Sequence, residues 1–99
     1  MDVLFHRTAL AALCNSQRRL ADCWGADAGR TVGRRLLEVG AADSESLKRL
    51  PRAEVSRNRR GETTIDFGDV VIKGAISGDG RDGERIVISS VEVEGSVQR

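Results

Sequence analysis

An α+β domain is what this sequence predicts: an N-terminal strand, then a two-helix hairpin packed on a curved antiparallel sheet of about four to five strands. Three observations carry that expectation. Between Thr8 and Gly40 the apolar residues recur at helical spacing, whereas after Pro51 they fall in short runs rich in Val, Ile and Thr. The 99 residues suffice for one hydrophobic core without staples, so a single domain spanning residues 1–99 is expected.

The run "DVLF" suits a short strand, and Thr8 is placed to cap a helix. Leu10, Leu13, Leu20 and Trp24 then share a helical stripe, Arg18 and Arg19 occupy a polar face, and Gly25 is a natural stop. One helix is therefore expected from Thr8 to Trp24. On it Cys14 and Cys23 would lie about 180° apart, so they cannot pair within the helix and are expected as reduced thiols. In the second helix Ala28, Val32, Leu36 and Val39 form the stripe and Gly40 closes it. Gly29 and Gly33 let the helix approach its neighbour closely, offsetting a propensity cost of roughly 1 kcal/mol each.

"DSESLKRLP" reads as a short helical turn capped by Ser44 and ended by Pro51, because the residue before proline is pushed away from helical angles. "RAEVSRN", "ETTIDF", "DVVIKGAI" and "ERIVISSVEVE" read as four strands, with turns at "RRG", "GD" and "SGDGRDG". In the last strand Ile86 and Ile88 share one parity while Val91 and Val93 share the other. A bulge or bend near Ser89 and Ser90 is the expected cause.

The net charge of +1 conceals a local field. Residues 1–47 are neutral overall, residues 48–60 carry +5 from Lys48, Arg49, Arg52, Arg57, Arg59 and Arg60 against Glu54, and residues 61–99 carry −4. No apolar run approaches the roughly 20 residues that span a bilayer, and "MDVLFHRTAL" lacks a basic segment before an apolar one. A cytoplasmic protein with no membrane partner is expected.

Few patterns carry chemistry. With His6 the only histidine, no zinc or catalytic Cys/His set is expected; His6, beside Arg7 at the end of the first strand, reads as a structural or exposed residue, with a general base as the alternative. "SGDGRDGE" lacks the spacing of a calcium loop and reads as a hairpin loop. Glu92 and Glu94 lie two apart on one strand, hence on one face, and read as a solvated or partner-contacting surface. Trp24 reads as a core anchor, and with only Phe5 and Phe67 beside it there is no aromatic series for base stacking. The strongest signal is "SRNRRG": a hairpin between strands that presents Arg57, Arg59 and Arg60 as a rigid set of phosphate-binding forks, or else an ordinary solvated tip.

"LCNSQRRLADCWG", "RRLLEVGAADSESLKRLP" and "NRRGETTIDF" together resemble the plasmid-maintenance killer branch of the RelE/ParE superfamily, the HigB-like toxins of type II toxin-antitoxin systems. The likeness runs from about Asp2 to Phe67. It implies helices over a curved antiparallel sheet, and a ribosome-dependent, metal-independent endonuclease that cuts mRNA and arrests growth. The implied partners are the ribosome, mRNA and a cognate antitoxin with a helix-turn-helix domain, with no cofactor. By the same resemblance Arg57, Arg59 and Arg60 would face the phosphate. The family's "P-Y-R" strand start reads "DVVIKGAI" here, leaving Lys73 as the nearest cation, and the chain contains no tyrosine to end the last strand. The implied catalytic set is therefore Arg57, Arg59, Arg60 and Lys73, with Lys48, Arg49, Arg52, Arg81 and Arg85 as further RNA-binding residues. The alternative implied by the missing arginine and tyrosine is a non-catalytic interaction module, or a gyrase-type inhibitor, on the same scaffold.

Overall fold

The computed structural model describes residues 1–79 and 83–99. The chain is α+β, in the order β1 (Asp2–Phe5), α1 (Thr8–Cys14), α2 (Gln17–Trp24), α3 (Ala26–Ala41), α4 (Ser44–Leu47), β2 (Glu54–Arg57), β3 (Glu62–Asp66), β4 (Val71–Asp79), β5 (Gly83–Val93) and β6 (Ser96–Gln98). The strands form one open sheet in the order β1-β5-β4-β3-β2, with β6 also pairing β5. Strands β2 to β5 make the expected antiparallel pairs, an unexpected short β6 pairs antiparallel with β5, and β1 runs parallel to β5, with Asp2 opposite Arg85 and Phe5 opposite Ile88. The sheet is thus mixed and six-stranded, not antiparallel with four or five. A parallel neighbour needs a long crossover, and the helices supply it.

The single first helix expected from the stripe is two helices. Asn15 and Ser16 leave helical angles, and the Ser16 side chain accepts from the Arg19 N–H at 3.2 Å, so it caps α2. The break removes the continuous helix that would have set Cys14 and Cys23 on opposite sides of one axis; both thiols are free. Arg7, not Thr8, stands at the N-cap of α1, without a side-chain bond. Gly25, at φ 93°, ends α2 as expected and leads directly into α3. Gly40 does not stop α3, which runs on to Ala41. In α4 the cap is Asp43 instead of Ser44: its carboxylate accepts from the Ser46 N–H at 2.7 Å while Ser46 Oγ accepts from the Asp43 N–H at 3.0 Å, a reciprocal capping box.

The helices cover one face of the sheet. Leu10, Leu20, Val32, Val39 and Leu47 meet Ile65, Ile72, Ile86, Ile88 and Val91, all at most 1% exposed, each such side chain contributing about 1.5–3 kcal/mol through removal from water. Gly29 fulfils its expected role: a Cβ there would lie 2.8 Å from the Ala21 backbone nitrogen, so α2 and α3 touch main chain to main chain. Trp24 is partly buried against the core, with its indole nitrogen buried and unpartnered.

The bulge expected near Ser89 and Ser90 is present. Lys73 pairs with Ser90 and Gly74 with Ile88, so Ser89 is the extra residue, and its Oγ donates to the Lys73 carbonyl at 3.2 Å. That insertion is what keeps Ile86, Ile88, Val91 and Val93 on the core face despite the change of parity.

Candidate functional site

The opposite face of the sheet carries the outward-pointing residues of every strand. Parity places Leu4 of β1, Val87 of β5, Ala75 of β4 and Glu62 of β3 in one row across it. Long β5 has β4 along one edge, while β1 and β6 share its other edge end to end, pairing with residues 85–88 and 91–93 respectively. Between them, at the bulge, the edge of β5 meets His6, whose N–H still donates to the Ile88 carbonyl at 2.9 Å.

Two adjoining concavities lie on this face. One, about 380 Å³, is lined by Lys73, Glu62, Ser89, Ser90, Glu92 and Arg99. The other, about 220 Å³, brings His6, Arg60 and Glu62 around a floor that includes Ala75, Val87 and Ser89. Glu62 and Ser89 belong to both, so the two adjoin at the bulge as one shallow depression of mixed polar and apolar lining. A larger groove of about 750 Å³ between β1 and α3 is lined by Val3, Phe5, Leu20, Leu36 and Leu37 among others, and no Lys, Arg or His reaches it among the described residues. It offers mainly apolar contact.

The arginine hairpin is rigidly built. The Asn58 N–H donates to the Glu62 carbonyl at 3.0 Å, the Gly61 N–H donates to the Asn58 carbonyl at 3.1 Å, and Asn58 Oδ1 accepts from the N–H groups of Arg60 and Glu62 at 2.9 and 3.0 Å. Gly61 closes the turn at φ 83°, a conformation that disfavours any side chain. This turn divides the expected set. Arg60 lines the depression and Arg59 is exposed at the tip, but Arg57 lines a cavity of about 570 Å³ on the helical side, together with Lys48, Glu45 and Glu84. There the Ser44 N–H donates to Glu84 at 3.0 Å.

The remaining cations are spread. Arg49 and Arg52 are exposed in the segment after α4, Arg52 at φ 67°, and Arg85 is exposed on the outer face opposite Asp2 and Ser77. Arg81 lies outside the described residues, as does part of the glycine-rich loop that contains it. Arg60 and Lys73 thus line adjoining concavities that share Glu62 and Ser89, while Arg57 lines neither. Glu92 and Glu94 are also separated, because Glu94 follows β5 at φ 50° and lies near Asp69, while Glu92 lines the depression with Lys73.

Glu62 and Arg99 join the site without a distinguishing signal in the sequence, and Ser89 is signalled there only as the bulge. The parity of "ETTID" sets Glu62 opposite in phase to buried Thr63 and Ile65, but only the order of strands shows what it faces. Arg35 likewise has no local signal. It sits on the buried face of α3 at 6% exposure, donates to both oxygens of Asp69 and of Glu38, and stands 4.8 Å from the Phe67 ring centroid. This network is structural, on the opposite side of the sheet from the depression. Among the described residues no three His, Cys, Asp or Glu side chains form a metal-holding group, and no helix is long and apolar enough to cross a membrane.

No family model, curated protein or solved structure matches the chain.

Proposed function

We propose that the chain is a toxin of the RelE/ParE kind, acting in the cytoplasm as a ribosome-dependent endonuclease on mRNA and held inactive by a cognate antitoxin. The observation that carries this reading is the placement of Arg60 and Lys73 in adjoining concavities that share Glu62 and Ser89, beside a rigid hairpin that also presents Arg59. A cation fixed in a rigid hairpin turn and another on a central strand hold a phosphodiester by charge and hydrogen bonding, and that preorganisation is what stabilises charge developing on the phosphoryl oxygens during cleavage. Arg59 at the tip, and Arg85 farther along the outer face, supply sequence-independent contacts to the backbone of the RNA.

The test is to map RNA 5′ ends in bacteria shortly after inducing the protein, beside the Arg59→Ala, Arg60→Ala variant. New ends inside translated codons that vanish in the folded variant are the expected result. Growth arrest without new ends would remove mRNA as the target.

A second reading, a non-catalytic interaction module or gyrase-type inhibitor, is favoured by the division of the cations. Arg57 and Lys48 stand on the helical side, while Glu62 and Glu92 place negative charge in the depression. This reading expects a tight complex with a protein partner and no new RNA ends.

A further inference from the structure

We infer that the outer edge of β1 pairs with the same edge of a second copy of this chain, joining two sheets into one and setting Asp2 of each copy beside His6 of the other. The inference holds whether or not the chain cuts RNA. Strand β1 ends the sheet order and pairs with β5 alone. The His6 N–H donates to the Ile88 carbonyl, so by the alternation of a strand Leu4 and Asp2 also turn their main-chain groups toward β5. Val3 and Phe5 turn theirs outward, and among the described residues no hydrogen bond reaches them.

The two edges of the sheet differ in kind. Strand β2 presents exposed Glu54, Ser56 and Arg57, a charged edge that discourages pairing. Beside β1 lies the groove of about 750 Å³ lined by Val3, Phe5, Leu36 and Leu37, and the large hydrophobic side chains left in water are Leu4 at 47% and Leu37 at 76% exposure. The strand is also held ready, since the Met1 amino group donates to the Gly40 and Ala42 carbonyls at 2.9 and 2.6 Å.

Two identical edges pair antiparallel about a two-fold axis, and the register that uses both outward-turned residues puts that axis at Leu4. Val3 then exchanges both its main-chain hydrogen bonds with the partner's Phe5. Asp2, Leu4 and His6, all exposed, share the outer face, where this register sets Leu4 against the partner's Leu4 and Asp2 against the partner's His6. Such pairs, not bonded through the main chain, bring Cα atoms to about 4.5 Å. A carboxylate accepts an imidazole N–H whether the ring is neutral or charged. The strand is thus complementary to itself in charge, and that complementarity is what commits the edge to a second copy.

A strand pair four residues long buries little beside the roughly 800 Å² per partner of a stable interface, so the groove must supply the rest. On the helical side the two grooves border one seam, and Leu37 of each copy is the exposed apolar residue there to close it. The dimer also changes the outer face. Because His6 lines the 220 Å³ concavity, the partner's Asp2 adds a carboxylate at its rim, and both depressions open on the same side of the joined sheet.

The deciding experiment is sedimentation equilibrium of the purified full chain over a concentration series, for wild type, Asp2→Lys, His6→Asp and the variant carrying both exchanges. Wild type is expected to dimerise. Each single exchange is expected to raise the dissociation constant about 10-fold or more, since Asp2→Lys removes the acceptor and His6→Asp sets two carboxylates face to face. The double exchange is expected to restore wild-type association, because each introduced charge again meets its opposite across the axis. The two side chains of one copy stand about 13 Å apart along the strand, so a folding defect would add in the double variant and only the pairing between copies would cancel. Wild type that stays monomeric up to about 1 mM overturns the inference. A dimer that neither single exchange weakens overturns it too, as does a double exchange no tighter than the singles.

Discussion

Arg35 of α3 and Asp69 of the β3–β4 turn form a two-pronged ion pair, with Nε to Oδ1 at 3.2 Å and Nη2 to Oδ2 at 2.8 Å, that locks the helical layer to the sheet. The Arg35 side chain is 7% exposed and that of Asp69 is 36% exposed. The hydrogen bond to Asp69 raises the guanidinium's already high pKa against the lowering effect of burial, and the same bond holds the Asp69 carboxyl below its ordinary range. Glu38 and the Phe67 ring complete the surroundings of the cation.

Removing one partner strands the other. Asp69→Ala is expected to cost about 1–3 kcal/mol in denaturant unfolding, below the full penalty for a buried pair because Asp69 is partly solvated and Glu38 remains. Arg35→Lys is expected to destabilise as well, since an ammonium cannot fork across both carboxylates. Because the folded-state pKa of Asp69 is depressed, its contribution is fully present above the unfolded value of about 4 and disappears as pH falls through the lower folded value. The stability difference between wild type and Asp69→Asn should therefore be constant from pH 7 to pH 5 and shrink below pH about 4.

Two helical glycines are expected to behave oppositely. A Cβ on Gly29 meets the Ala21 backbone nitrogen at 2.8 Å and the Leu20 carbonyl carbon at 2.9 Å, atoms that cannot swing aside. Gly29→Ala should destabilise by about 1–3 kcal/mol as α2 and α3 are forced apart. At Gly33 the nearest atoms are Gln17 Oε1 at 3.0 Å and Leu20 Cδ1 at 3.9 Å, the first at the end of a flexible side chain. Gly33→Ala should be neutral or stabilise by up to about 1 kcal/mol through helix propensity. Chemical denaturation of both variants checks the contrast.

Gly74 faces the bulge. A Cβ there would stand 2.6 Å from the Val87 carbonyl oxygen and 3.1 Å from Ile88 Cα, so Gly74→Ala should destabilise by about 1–3 kcal/mol. Amide hydrogen exchange should accelerate at residues 87–90 before it does elsewhere in the sheet, because the bulge is where the added atom must be accommodated. Uniform acceleration would contradict that placement of the strain.

The two thiols should react at different rates. Cys14 is buried and its pKa is pushed up to about 11, first by burial and then by Cys23; Cys23, less buried, is raised by burial alone. At pH 8 a thiol reagent should label Cys23 first, and Cys14 only as fast as the core opens, since the thiolate is the nucleophile. Mass spectrometry of partly labelled protein distinguishes the two.

Legibility in the sequence differs from element to element. The bulge at Ser89 can be read because side-chain parity on a strand is a period-two rule, and a core that must stay dry enforces it on Ile86, Ile88, Val91 and Val93 alike. Gly29 is legible for a related reason, since glycine in a helix is costly unless another backbone needs its space. The break between α1 and α2 is also written locally, in Ser16, but the continuous stripe from Leu10 to Trp24 masks it. The stripe of α3 points to Leu36 as core, yet its neighbour Arg35 is the fully buried one of the two. Burial of a charge depends on a partner, and Asp69 is remote in sequence and near only once β3 and β4 have turned.

The sequence by itself determined the α+β class, the segments of α3, α4 and strands β1 to β5, the Asn58–Gly61 turn and its cluster of arginines, because these depend on periodicity, turn chemistry and composition over a few residues. Only the tertiary structure decided that β1 runs parallel to β5, that Arg57 lines the helical-side cavity and Arg60 the outer-face one, and that His6 and Arg60 on one side and Lys73 on the other line adjoining concavities that share Glu62. Those outcomes depend on strand order and on which face the helices cover. Both are settled by joining residues far apart in the chain into one dry core, which no local pattern encodes.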